Sequence, residues 1–119
     1  FGGPDPEALA AALGERRITW LRSLPLWHRA GDTLFVHAGI VPGVPVEQQD
    51  TRDLLWVRGR FLDSDADHGL CVVHGHTPAD EPVVRANRIG IDTGAGSGGP
   101  QTAVVLGEAV GPRFLVAQS

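Results

Sequence analysis

The sequence predicts an α/β fold, a mainly antiparallel sheet with a few short helices, formed as one domain over residues 1–119. Three observations carry this. Helix-starting chemistry is confined to the N-terminal stretch and to one segment after Gln49. From Leu26 onward the apolar residues change to short runs of the kind strands use. Beyond Gly69 these runs follow one another too closely to hold crossover helices, which favours antiparallel pairing.

Taken in order, Asp5-Pro6-Glu7 reads as a helix start: a capping side chain, proline at the first helical position and an acid in the first turn. Ala8 to Leu13 propagates the helix, and Gly14 stops it. A second helix is expected over Glu15 to Ser23, with Ile18, Leu21 and Trp20 facing inward and Pro25 beyond its end. Leu26 to Arg29 and Thr33 to His37 flank Ala30-Gly31-Asp32, a hairpin turn, and the second strand is the more apolar and so the more central. Ala38 to Val46 carries two glycines and two prolines and reads as loop. Asp50 caps a short helix through Leu54-Leu55-Trp56, which delivers Arg58 and Arg60 just beyond it. Asp63 to Gly69 is an acidic, exposed loop. Leu70 to His74, Pro82 to Arg85, Arg88 to Asp92, Thr102 to Leu106 and Arg113 to Val116 are the remaining strands. Gly94 to Pro100 reads as a tight loop between two of them.

Composition narrows the function. A net charge of -4 argues against a nucleic-acid surface, which needs a basic stripe. No apolar run approaches the roughly 18 residues that span a membrane, so no membrane partner is expected. The single cysteine, Cys71, excludes an internal disulfide, reads as a buried small hydrophobe and fits a reducing cytoplasm. All ten cations are arginine, so arginine alone is available to hold an anion.

The chemistry gathers at two strand ends. In Val72-Val73-His74-Gly75-His76-Thr77-Pro78, two histidines flank a glycine that permits a sharp turn, and a proline follows. In Leu34-Phe35-Val36-His37-Ala38-Gly39, a histidine again ends an apolar run before small residues. Neutral imidazole is a common metal ligand, and a sheet can bring two strand-end histidines together. Taken bare, the same pattern also describes hydrogen-bonded structural histidines.

Five motifs appear in order: Phe35-Val36-His37-Ala38-Gly39, Leu54-Leu55-Trp56-Val57-Arg58, Val73-His74-Gly75-His76-Thr77-Pro78, Arg88-Ile89-Gly90-Ile91-Asp92-Thr93-Gly94-Ala95 and Thr102-Ala103-Val104-Val105-Leu106. Together they resemble the C-terminal half of bacterial PPP-type (calcineurin-like) metallophosphoesterases, related to serine/threonine protein phosphatases and diadenosine tetraphosphatases. The resemblance implies an αββα sandwich with two divalent metal ions at its crest, manganese foremost and iron or zinc as alternatives. Two metals about 3.5–4 Å apart can serve both the attacking water and the phosphoryl oxygens. By the same resemblance His37 and His76 are ligands of one metal, and Arg58 grips the substrate phosphate through its planar fork. The pattern favours His76 over His74. The implied activity is hydrolysis of phosphate monoesters, with a phosphorylated protein or small phosphate ester as substrate. A diadenosine tetraphosphatase-like hydrolase and a non-catalytic binding or regulatory module are the alternatives.

The sequence also departs from that family. The motifs G-D-x-H-G, G-D-x-x-D-R-G and G-N-H-E, which supply the first-metal ligands, the bridging aspartate and the general acid, are missing. Asn87 is followed by arginine rather than histidine and lies after the second histidine motif. The chain is therefore expected to hold part of one metal site, to represent the C-terminal portion of a longer enzyme, and to be inactive alone. Two imidazoles by themselves hold an oxygen-preferring ion weakly.

Other features receive plainer readings. Asp92-Thr93-Gly94-Ala95 matches the aspartic-protease signature, but that motif belongs early in such a fold, and here it lies late; Asp92 reads as a structural acceptor at a strand end. Asp63, Asp65 and Asp67 alternate like a calcium loop without its glycine and terminal glutamate. His28, His68 and Arg60 read as exposed.

Overall fold

A computed structural model describes Gly3 and residues 5–118. Helix α1 (Pro6–Leu13) starts as its sequence dictates, with the Asp5 carboxylate accepting the Glu7 N–H, and it ends at Gly14 with φ +80°. Gly14 then opens α2 (Glu15–Ser23). The two helices pack on one another, yet neither buries a residue. The expected inward face of α2 is corrected accordingly: Ile18 is half-buried, while Trp20 and Leu21 are 61% and 46% exposed. Periodicity identified the helix, but no layer of the described residues closes over its apolar side.

Strands β1 (Trp27–Ala30) and β2 (Thr33–Val36) form the expected hairpin, paired from Trp27–Val36 to Ala30–Thr33. Two short helices follow, α3 (Thr51–Trp56) and α4 (Gly59–Leu62). Asp50 caps α3 by accepting the Arg52 N–H at 2.8 Å. Between β2 and α3 the loop is held by one side chain: Gln49 bonds both the N–H and the carbonyl of Val41, and the carbonyl of Val44.

The remaining strands are β3 (Cys71–His74), β4 (Val83–Val84), β5 (Arg88–Gly90), β6 (Gln101–Val105) and β7 (Arg113–Ala117). The fold is mixed α/β: a five-stranded sheet in the order β1-β2-β3-β5-β4, and a separate β6–β7 pair. The expectation of a mainly antiparallel sheet needs correction at its centre. β2, β3 and β5 run parallel, whereas β1 and β4 are antiparallel to their neighbours and β6–β7 pairs antiparallel, as expected. The β2–β3 connection does hold helices, α3 and α4. The β3–β5 connection returns the chain without one, by inserting β4 as an edge strand that folds back on β5.

Alternation along β2 sets the layers. Leu34 and Val36 are buried towards α3 and α4, whereas Thr33 and Phe35, of opposite parity, are half-buried. Phe61 from α4, Leu34 and Val72 from β3 are the largest fully buried side chains, and Leu54 and Val57 close the cluster. This core fixes the strand ends where the histidines lie.

Candidate functional site

Parallel pairing puts the carboxyl ends of β2, β3 and β5 side by side, the edge at which ligands bind open α/β sheets. His37 follows β2, Gly75-His76 follows β3, and Ile91-Asp92 follows β5. Backbone bonds lace these ends together: Gly75 N–H to the His37 carbonyl at 2.8 Å, Ile91 N–H to the His74 carbonyl at 2.9 Å, and Ala79 N–H to the Asp92 carbonyl at 3.0 Å. His37, His76 and Asp92 border one cavity of about 380 Å³, floored by Phe35 and Val73.

The His37 and His76 rings lie 5.1 Å apart between centroids at an interplanar angle of 57°. His37 is exposed, while the Nε2 of His76 is buried and has no hydrogen-bond partner. The exposed Trp56 indole meets the His76 ring edge-on at 5.6 Å. Burial lowers the proton affinity of His76, and the positive charges of His37 and Arg58 add to that; Asp92 and the Trp56 backbone act against it. The net direction favours the neutral form, which is the form of imidazole that ligates metals.

The sharp turn lies one residue later than the sequence suggests. A Cβ at Gly75 would meet only ordinary contacts at 3.6 Å and beyond, so no steric exclusion requires glycine there. His76 itself takes the left-handed conformation at φ +68°, the single non-glycine among the described residues to do so. Such conformations cost of order 1–3 kcal/mol and cluster at functional sites.

His74 is separated from its neighbour. It is 3% exposed, its Nδ1–H donates to the Gly75 carbonyl at 3.1 Å, and its Nε2 accepts from Arg88 Nη1 at 3.0 Å. Both nitrogens are engaged, so His74 is the structural histidine of the pair. Gly90, opposite it on β5, makes the room: a Cβ there would lie 3.3 Å from the His74 ring.

Arg58 sits exposed at the α3–α4 junction and makes no ion pair among the described residues. Its charge acts on His76, but it does not line the cavity that His37 and His76 border. Asp92 and Trp56 join the histidine pair, and Asp92 also caps its own turn by accepting the Gly94 N–H at 3.0 Å. The signal for Asp92 as a neighbour of the histidines was register: it becomes legible only once β5 is known to run parallel to β3. Arg60 and His28 are exposed as expected, whereas His68 is half-buried against Phe61 and Asn87. Cys71 is half-buried, and burial pushes its thiol up.

Among the described residues no group of three or more His, Cys, Asp or Glu side chains gathers as a complete metal site. The histidine pair offers two imidazoles, one with a nitrogen already desolvated and unpartnered. The remaining donors would have to come from outside this set. No model of a known protein family matches the chain, and no curated protein matches it either. No helix among the described residues is long and apolar enough to cross a membrane.

Proposed function

We propose that this chain carries one side of a metal-dependent phosphoesterase centre of the phosphoprotein-phosphatase type, in which His37 and His76 hold one divalent ion and Arg58 binds the substrate phosphate. The observation that carries the reading is the orphaned, buried Nε2 of His76, turned on a strained backbone beside a second imidazole. A buried nitrogen without a partner is unfavourable unless something binds it. A divalent ion there would polarise a phosphoryl oxygen and supply a water of lowered pKa. The chain contributes, in this reading, the two imidazole lone pairs, the Trp56 indole packed edge-on against the His76 ring, and the Arg58 guanidinium, whose planar fork suits paired bonds to phosphate. In this reading the carboxylates and the second ion's ligands come from a further segment of the parent enzyme, so the chain alone does not turn over. Manganese, with its preference for oxygen donors, would be completed by those carboxylates.

The test is phosphorus relaxation of inorganic phosphate in the presence of manganese and the chain. The expected result is protein-dependent broadening that disappears in His37→Ala and His76→Ala and weakens in Arg58→Ala. Broadening indifferent to all three substitutions would overturn the reading. Hydrolysis of p-nitrophenyl phosphate with manganese, against a chelator control, should give no turnover. Turnover lost in His76→Ala would mean that the centre is completed within this chain after all.

The incomplete ligand set among the described residues favours a second reading, a non-catalytic binding or regulatory module that keeps the sheet without the metal. A cooperative melt unaffected by divalent ions, together with no manganese-dependent phosphate binding, would select it.

A further inference from the structure

Behind the histidine edge lies a second, smaller cavity of about 130 Å³, bordered by Leu62, His74, Thr77, Val83, Arg88 and Asp92 among others. We propose that this cavity is a binding site for one small inorganic monoanion of the halide or nitrate class, held by Arg88 and Thr77.

Charge balance is the first argument. Arg88 is 6% exposed, and a guanidinium does not give up its proton at any ordinary pH. Its two terminal nitrogens are spent on neutral acceptors, the His74 ring at 3.0 Å and the Leu62 carbonyl at 3.4 Å. No carboxylate lies within ion-pair distance; the one ion pair among the described residues is Arg113–Glu108 on the surface. The charge of Arg85 adds to the positive potential, and Asp63 opposes it from beyond bonding range. A buried charge left without a paired counter-charge is strongly unfavourable.

Unmet donors add to this, one of them on a second residue. Arg88 Nε and Thr77 Oγ1 are both buried without any partner, and both residues border this cavity. An acceptor held in the cavity is what these two donors call for. Asp92 also borders the cavity, with one carboxylate oxygen already taken by Gly94 N–H. Its charge selects against a dianion such as sulfate and tolerates a monoanion. The volume exceeds that of one water, about 30 Å³ in the liquid, so an anion fits with a companion water. The site needs no metal and stands apart from the phosphoesterase reading.

The experiment is thermal melting of the full chain at constant ionic strength, with a chelator present throughout, as bromide or nitrate replaces gluconate or sulfate. A saturable rise in Tm with bromide and nitrate, on top of the non-saturating trend that sulfate gives by surface exclusion, is the expected result. Thr77→Val removes one donor at nearly constant shape and should raise the half-saturating bromide concentration about tenfold, the scale of a hydrogen bond to a charged group. Arg88→Gln should abolish the response if it folds; Thr77→Val decides the matter if it does not. A bromide-soaked crystal should show anomalous density in this cavity beside Arg88. Bromide and nitrate responses with no saturable component, an unchanged bromide response in Thr77→Val, or water alone in the soaked cavity would each overturn the proposal.

Discussion

Gly39→Ala should be among the most damaging single-methyl changes in this chain. Gly39 has φ +148°, and a Cβ built on it would lie 2.2 Å from Phe61 Cδ1 and 2.7 Å from Cγ and Cε1. Phe61 cannot retreat: it is fully buried, with the His74 ring edge-on at 5.0 Å and His68 at 5.8 Å. Overpacking a tight core costs about 1–3 kcal/mol, and a side chain on strained backbone adds about 1–3 kcal/mol, so roughly 2–6 kcal/mol is expected in total. That is a large share of the stability of an ordinary domain, about 5–15 kcal/mol. Urea unfolding followed by tryptophan fluorescence measures it, in a stabilising osmolyte so that all variants retain a folded baseline. The double-mutant cycle isolates the collision. Phe61→Ala alone should cost about 3–5 kcal/mol. In that background Gly39→Ala should cost only its backbone part, leaving a coupling of about 1–3 kcal/mol between the two sites. Strict additivity, or a Gly39→Ala variant within about 0.5 kcal/mol of the parent, would refute the packing argument.

Asn87→Ala should cost about 1–3 kcal/mol, because its amide is the buried donor to the Ser64 and Ala66 carbonyls at 2.8 and 3.0 Å; amide exchange in residues 64–69 should quicken with it. Thr93→Val should cost a similar amount, about 1–3 kcal/mol, since Thr93 Oγ1 joins the Pro100 carbonyl and Thr102 Oγ1, each at 2.7 Å; urea midpoints read it. Burial holds the proton affinities of His68, His74 and His76 below the ordinary value near 6.5. The unfolded chain therefore binds more protons in that range, so their contribution is complete above pH about 6.5 and is lost as the pH falls below it. His74→Gln should flatten the slope of the urea midpoint between pH about 8 and about 5, and an unchanged slope would count against His74.

Local chemistry made much of the fold readable. Asp5 and Asp50 cap the helices they were expected to cap, and the Trp27–Val36 hairpin lies where Ala30-Gly31-Asp32 placed it. Strand direction was readable for β1–β2, β4–β5 and β6–β7, which pair antiparallel as expected, but not for the centre of the sheet. Short spacing after Gly69 argued for antiparallel neighbours, but β4 occupies the connection and lets β5 return parallel to β3. That one non-local choice places Asp92 beside His76. His37, His76 and Arg58 were legible as candidates from their motifs; the structure brings His37 and His76 to one cavity and leaves Arg58 at the α3–α4 junction, within electrostatic reach of His76. The distinction between His74 and His76 has a physical basis that no spacing reveals: Arg88, on the neighbouring strand, occupies the free nitrogen of His74 and leaves that of His76 bare. The exposure of Trp20 and Leu21 was equally hidden, because a helix's periodicity does not say whether a layer covers it.

The histidine pair is the centre of this account, and calorimetric titration of the chain with zinc tests it most directly, since zinc suits imidazole ligands. The account predicts one ion per chain, with the binding heat lost in His37→Ala and equally in His76→Ala. A binding isotherm that survives either substitution unchanged would contradict it.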